Sequence, residues 1–446
     1  MQRTRRLASA LFLLTGVRLS AQVPAPLQPQ AAPQTEASTP TPAQRQIQPL
    51  SWGEVRALFD KNNPTLQADQ SNVDESKAEE ITAYLRPNPQ LTIATDGTQF
   101  VPYHGTYVPF LGTQYQASFN YLHERDHKRE LRLLSQQQGT AIAASSHIDL
   151  ERNMIFALRS AFVGILQAKA TVDMATLDLA YWDKVLDMSR TRFQAGDIAQ
   201  IDLDQLELQR VQYESEIETA EINLRTSKIE LLQLLNDHTP PSQFDVTGLF
   251  DYTDQLQPLD DFHQIAVDNR PDLKAAAQSV DQAKTNHKLA VSNGSTDPTL
   301  SAWWTYNPSF NNPDDKWTLG LSVSIPLRIF DRNQGEKLRT KIDIDRNQQL
   351  LTATQAQVFG DVDSAYAQVD GNLVLLRPYK AKYLDQAKRV RDSIEFSYEH
   401  GGASLLDFLN AEANYRQVQL AYVTLVGTYL TDAAELNEAV GKDVIQ

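Results

Sequence analysis

Two hydrophobic periods alternate along this chain, and each appears twice. Between Thr113 and Tyr121, the residues Tyr115, Ala117, Phe119 and Tyr121 alternate with Gln114, Gln116, Ser118 and Asn120. That is the two-residue period of a strand with one apolar and one polar face. Further on, Trp317, Leu319, Leu321, Val323 and Ile325 alternate with Thr318, Gly320, Ser322 and Ser324 until Pro326 closes the run. Each run predicts the second strand of a pair and approaches the roughly 9 to 11 residues that a tilted strand needs to cross a bilayer. After each pair the period becomes helical. Lys128 to Gln194 contains no proline and only Gly139 and Gly164, with Ile155, Leu158, Phe162 and Ile165 at heptad-like spacing. Such a stretch predicts a rod about 100 Å long. A turn at Ala195-Gly196-Asp197 leads into a shorter helix to Leu235. The second rod runs from Asn333 to Glu399, turns at Gly401-Gly402 and returns to Val440; Pro378 predicts a kink within it.

These paired patterns are an internal duplication. Asn62-Asn63-Pro64-Thr65-Leu66 reappears as Asn269-Arg270-Pro271-Asp272-Leu273, an offset of 207. Phe193-Gln194-Ala195-Gly196 with Ile201-Asp202 reappears as Tyr398-Glu399-His400-Gly401 with Leu406-Asp407 at 205, and Pro89-Gln90-Leu91 as Pro298-Thr299-Leu300 at 209. A period of that length marks a duplicated half-domain, since solenoid units are much shorter. The expected layout is a first repeat over 50–245, a connector over 246–262 and a second repeat over 263–446. In the first copy, Ser51-Trp52-Gly53-Glu54 reads as a capping box, with Leu50 and Val55 as its staple, opening a helix that ends near Arg86-Pro87.

Before the repeats, residues 1–21 carry Arg3, Arg5 and Arg6, the apolar run Leu7 to Val17, and Leu19-Ser20-Ala21, the layout of a secretory signal peptide. Residues 22–49 hold seven of the 21 prolines and read as an extended linker. Composition narrows the choices further. With 22% charged and 41% hydrophobic residues the chain is too polar for a bundle of membrane helices. Only 18 glycines in 446 residues leave little turn chemistry for an all-β fold. A net charge of -15 without a Lys/Arg stripe argues against nucleic acid. The absence of cysteine excludes disulfides, thiolate metal sites and a Cys nucleophile.

Strands with one apolar and one polar face are the units of a membrane β-barrel, and here Tyr115, Phe119, Tyr121, Trp317, Leu319, Leu321 and Val323 would face lipid. Four strands cannot close a cylinder, and open edges are not tolerated in hydrocarbon, so several copies must complete it. Trp303, Trp304 and Trp317, with Tyr103, Tyr107, Tyr115 and Tyr121, supply rings suited to the bilayer interface. A soluble antiparallel sheet with one buried face is the competing reading.

Residues 50 to 441 resemble the TolC-type outer-membrane efflux proteins. The sharpest match is Ser324-Ile325-Pro326-Leu327-Arg328-Ile329-Phe330-Asp331-Arg332-Asn333-Gln334-Gly335, similar to the strand-to-helix junction of the heavy-metal cation resistance branch of RND tripartite systems. Asn62-Asn63-Pro64 and the segment Tyr398 to Asp407 match less specifically. The resemblance implies a mainly α protein with a β-barrel portion. Its protomer is internally duplicated, and three copies assemble a 12-stranded outer-membrane barrel and a long helical barrel in the periplasm. It implies export without catalysis or cofactor, and as partners a periplasmic adaptor, an inner-membrane RND pump and outer-membrane lipid.

By the same resemblance the two helical turns form the periplasmic tip. Ala195, Gly196, Asp197 and Ile198, with His400, Gly401, Gly402, Ala403 and Ser404, would meet the adaptor. Asp407 occupies the first position of an acidic constriction whose second position here is Asn410. Asp202 and Tyr398 match positions that hold the hairpins together when closed, whereas a position often filled by Arg is Ala403. A bland role for Asp407 is that of an acid complementing a helix N-terminus.

One motif points elsewhere. His123-Glu124-Arg125-Asp126-His127 matches H-E-x-x-H, which on a helix holds zinc with Glu as general base. Here it follows a two-residue period, so a polar strand-to-helix junction is the better reading. The other histidines show no ligand spacing, and no metal site is expected. Three readings remain open on the residues alone: a metal-efflux duct, a similar duct for drugs or type I protein secretion, and a coiled-coil scaffold, which leaves the strands unexplained.

Overall fold

The computed structural model describes residues 48–445 apart from 103, 111 and 309–315; the expected signal peptide, most of the linker and Tyr103 lie outside them. The order helix, helix, strand, strand, long helix, long helix occurs twice. The first set is α1 (Trp52–Asn62), α2 (Pro64–Tyr84), β1 (Gln90–Asp96), β2 (Gln114–Leu122), α3 (Lys128–Ala195) and α4 (Gln200–Leu234). The second is α5 (Leu259–Asn269), α6 (Pro271–Ser292), β3 (Thr299–Tyr306), β4 (Trp317–Ser324), α7 (Gln334–Pro378) continued by α8 (Leu384–Glu399), and α9 (Leu405–Val440).

The helix expected from Ser51 to Arg86 is broken, and Asn63 breaks it. Its extended backbone ends α1, its Oδ1 accepts from the Thr65 and Leu66 amides at 2.9 and 3.1 Å, and Pro64 starts α2. Asn caps and a proline in the first helical turn both favour a new start over a continuation. Arg270 stands at the equivalent place before Pro271. The two residues do the same job with different chemistry. Asn63 Nδ2 donates to the Leu234 carbonyl at the end of α4 (2.9 Å), and Arg270 Nη1 donates to the Ala439 carbonyl at the end of α9 (3.1 Å). At Pro378 the expected irregularity takes the form of a π-helical turn over Tyr379–Tyr383, which relieves the bonds that proline cannot make.

Two apolar cores hold the helices together where the repeats meet. Val358, Val362, Ala365, Val369, Leu373 and Leu376 follow one stripe of α7, all at most 1% exposed, and pack on Tyr429, Leu436 and Val440 of α9 and Phe262 of α5. Val55, Phe59, Leu158, Phe162, Ile165, Leu231 and Leu235 form the matching core of the first repeat. Part of α3 is long and apolar enough by composition to cross a membrane, with a mean hydropathy of 1.3 in its richest window. Residues of this kind on α3, among them Leu158, Phe162 and Ile165, are spent on the core.

The four strands form one antiparallel sheet in the order β1-β2-β3-β4, so the outer edges of β1 and β4 are both unpaired within it. The register aligns Leu91, Phe119, Ala302 and Leu321 in one row and Ile93, Ala117, Trp304 and Leu319 in the next. Tyr115, Tyr121, Trp317 and Val323 fall on this same face, where Leu319 and Leu321 are each 76% exposed. Trp304 and Trp317 stack there at 4.6 Å. The other face carries Thr92, Gln116, Ser118, Asn120, Ser301, Thr305, Thr318 and Ser322. Trp303 departs from the expected aromatic belt: it lies on the polar face, opposite Gly320.

The indole of Trp303 rests where a side chain at residue 320 would be, since a Cβ there would meet its ring atoms at 2.1 to 2.6 Å. Gly320→Val is expected to destabilise the sheet by about 1 to 3 kcal/mol through overpacking. The heat-modified gel shift of the extracted protein checks this, with Trp303→Ala added to the variant as the expected rescue. No rescue would mean that the indole is not what the glycine accommodates.

Candidate functional site

The two long hairpins end in two matched turns. Gly196 (φ +84°) closes α3 by donating its amide to Phe193 O at 3.0 Å while Asp197 N reaches Arg192 O at 2.9 Å. Gly401 (φ +76°) closes α8, with Gly402 N donating to Ser397 O at 2.7 Å. Left-handed backbone at both positions explains why glycine ends each hairpin arm. Ala195, Gly196 and Asp197 are exposed, as are His400, Gly401, Gly402 and Ser404; Ile198 and Ala403 tuck partly against the apolar core beneath.

That core joins the hairpins to each other. Trp182 of α3 is fully buried, donates Nε1–H to the Leu206 carbonyl at 3.0 Å, and packs beside Tyr213 of α4. Phe408 of α9 stacks on Trp182 at 6.0 Å, and Tyr398 of α8 stacks on Phe408 at 5.1 Å, both nearly parallel. The Arg192 guanidinium caps the stack, 5.3 Å from the Tyr398 ring centre. An open groove of about 440 Å³ runs beside it, lined by Val185, Met188, Arg192, Tyr398 and Phe408. Burial pushes the Tyr398 hydroxyl above its ordinary pKa, with Arg192 opposing and Asp202 adding to the shift. The phenol is therefore neutral, and its buried oxygen has no hydrogen-bond partner among the described residues. Asp202 lies close enough to be felt there but makes no hydrogen bond to it.

Asp407 and Asn410 are exposed one turn apart on the first turns of α9. Asp407 also serves the fold. It accepts from the Ser404 amide and hydroxyl at 3.1 and 2.7 Å, while its own amide donates to Ser404 Oγ at 3.2 Å. The hydroxyl and amide of Ser404 hold its carboxyl below the usual range, so the charge persists at neutral pH. Ser404-x-x-Asp407 is a readable capping signal that the gate reading passed over. Trp182, Phe408 and Arg192 were not singled out from the sequence, because their meeting depends on how α3 lies against α9.

At the strand-to-helix junction the H-E-x-x-H residues do not converge on a metal. Glu124 is engaged by the Arg132 guanidinium, His127 takes a left-handed backbone just before α3, and His123 N donates to Pro298 O at 2.9 Å. Lys128 Nζ reaches Asp297 at 2.6 Å, locking the start of α3 to the loop that precedes β3.

Residues 263–442 match the family model described as outer membrane efflux protein. The cobalt-zinc-cadmium resistance protein CzcC of Cupriavidus metallidurans is 21% identical over 395 residues, spanning 88% of this chain and 90% of the relative. Among solved structures, CusC superposes with a TM-score of 0.74 at 17% identity, over 92% of this chain and 99% of its own. The outer membrane protein VceC of Vibrio cholerae gives 0.70 at 16%, over 87% and 96%. The second half of the chain thus matches that family model, and the described residues share the fold of these channels.

Proposed function

We propose that this chain is the outer-membrane duct of a tripartite efflux system that exports heavy-metal cations. In this reading three copies join β4 of one to β1 of the next, the apolar sheet face meets lipid, and the polar face lines the exit. The observation that carries it is a single sheet with an apolar exposed face and two unpaired edges, continuous with hairpins long enough to cross the periplasm. The exposed turns around Gly196 and Gly401 would receive the periplasmic adaptor, and the inner-membrane pump would supply the cargo. Metal cargo is supported by the likeness to CzcC and by the junction from Ser324 to Gly335.

A duct need not bind what it passes, so cargo is tested in cells. Deletion of the gene is expected to sensitise the host to divalent metals and leave tolerance to dyes and antibiotics unchanged. The opposite pattern would reassign the duct to drugs. In planar bilayers the extracted protein is expected to give small, cation-sensitive steps. Asp407→Ala is expected to weaken that sensitivity and enlarge the steps, because it removes a persistent negative charge near the narrowest point. Unchanged steps would place the constriction elsewhere.

A further inference from the structure

Behind the aromatic stack the two hairpins meet again, this time through partly buried polar groups. Tyr181 of α3 donates its hydroxyl to Glu395 of α8 at 2.6 Å, and Arg416 of α9 donates to Glu216 of α4 at 2.8 Å. These bonds cross from one hairpin to the other. Arg391 of α8 lies over the rings of Tyr181 and Tyr415, 5.2 and 4.5 Å from their centres, and Arg416 lies over Tyr213 at 4.6 Å. Two acids inside this cluster lack adequate partners. Glu412 of α9 is 5% exposed, and its Oε1, 3.6 Å from Arg391, has no hydrogen bond. Asp178 of α3 makes no hydrogen bond or ion pair among the described residues. Arg391, moreover, already pairs with Asp392 at 2.7 Å. Asp178, Glu216, Glu395 and Glu412 therefore share two guanidinium groups, and negative charge is in excess wherever all four are ionised.

The geometry points to a proton-operated latch: the cluster around Glu412 and Asp178 holds the two hairpins together when these acids are protonated and loosens when they ionise. The inference rests on the duct reading, since only a duct gives the separation of hairpins a function. A carboxylate between packed helices with no hydrogen bond and only a distant, shared cation is costly, whereas its neutral form is less so. Separation lets water reach the group and removes the cost. Burial raises Glu412 to about 7, with Arg391 and Tyr181 opposing and Glu395 and Asp178 adding. Burial likewise raises Asp178 to about 6, with Arg416 and Arg391 opposing and Glu216 adding. The joined form thus holds protons more tightly than the separated form. Raising the pH favours separation, starting in the ordinary carboxylate range and levelling off above about 7. Asp407, held below the usual range, does not titrate in that window.

The test is the open probability of the full-length wild-type channel in a planar bilayer from pH 5 to pH 8. A rise of at least tenfold is expected, since one unit of differential pKa corresponds to roughly tenfold in an equilibrium. Glu412→Gln, which fixes the neutral state, is expected to stay mostly closed and to lose most of the slope. Tyr181→Phe keeps the ring but breaks the bond to Glu395, and is expected to open more at every pH. A wild-type response that is flat with pH, or a Glu412→Gln variant that keeps the full slope, overturns the latch and leaves the duct standing. Failure of the wild type to form channels at any pH overturns the duct reading, and the latch with it.

Discussion

Trp182→Ala is expected to part the two hairpins near the tip and leave the duct leaky. The indole is fully buried, forms the base of the stack with Phe408 and Tyr398, and holds the Leu206 carbonyl through Nε1. Truncating a buried Trp costs roughly 3 to 5 kcal/mol, part lost burial and part cavity. Because the ring packs on Phe408 of α9 as well as on α4 of its own hairpin, part of that loss falls on the contact between hairpins. At about tenfold per 1.4 kcal/mol, even half of it would shift the closed-to-open ratio by more than an order of magnitude. Single-channel recording should show frequent large openings, with an unfolding midpoint lowered less than the gating change suggests. Trp182→Phe keeps an aromatic ring in the stack but loses the hydrogen bond and part of the indole's buried volume, so it should fall between the two. An alanine variant that gates like the parent would mean that the stack does not hold the closed form.

The second large effect is expected where the repeats join. The Arg270 guanidinium is 4% exposed, grips both oxygens of Asp272 at 3.0 and 2.7 Å, and reaches Asp361 of α7 at 2.8 Å besides capping α9. Arg270→Ala leaves these carboxylates without their cation, a loss of roughly 3 to 5 kcal/mol. Burial raises the Asp272 carboxyl, but bonding to Arg270 outweighs this and leaves it below its ordinary value. Its stabilising contribution is therefore present above the ordinary carboxylate range and disappears as pH falls through the lowered value. In the variant only the Leu273 amide and Arg152 still oppose burial of Asp272, so the stability gap to wild type should be widest at neutral pH and narrow in acid. Thermal unfolding at several pH values checks both points. A gap independent of pH would mean that packing of the arginine stem, and not its charge, is what the site needs.

Features with a local cause were legible in the sequence. The alternation from Tyr115 to Tyr121 and from Trp317 to Val323 located β2 and β4 because a strand writes its two faces directly into neighbouring positions. The far end of α3 was readable to within a residue because Gly196 stops it. Asn63-Pro64 carried an equally local signal, a cap followed by a helix-starting proline, and the resemblance placed it after the first helix, yet the pattern alone was read as one helix running on to Arg86. The second strand pair misled in one respect: Trp303 was grouped with the interfacial aromatics, although its odd position puts it on the polar face with Thr305 and Ser301. The core of the tip was not legible. Trp182, Phe408 and Tyr398 lie on three helices, and the lateral register of α3 against α9 decides that they stack. Glu412 looked like any surface acid on α9 for the same reason.

The free margins of β1 and β4 bear on what happens when two versions of the chain are made in one cell. In the proposed assembly each copy zips to a neighbour on both sides, and the two margins are different surfaces, so the contact runs head to tail and a ring closes only when every seam forms. A copy damaged along β4 still offers an intact β1, and through it can recruit sound neighbours into a ring that never closes. Such damage would be inherited by the sound copies as well, and a mutant allele of this kind would act dominantly.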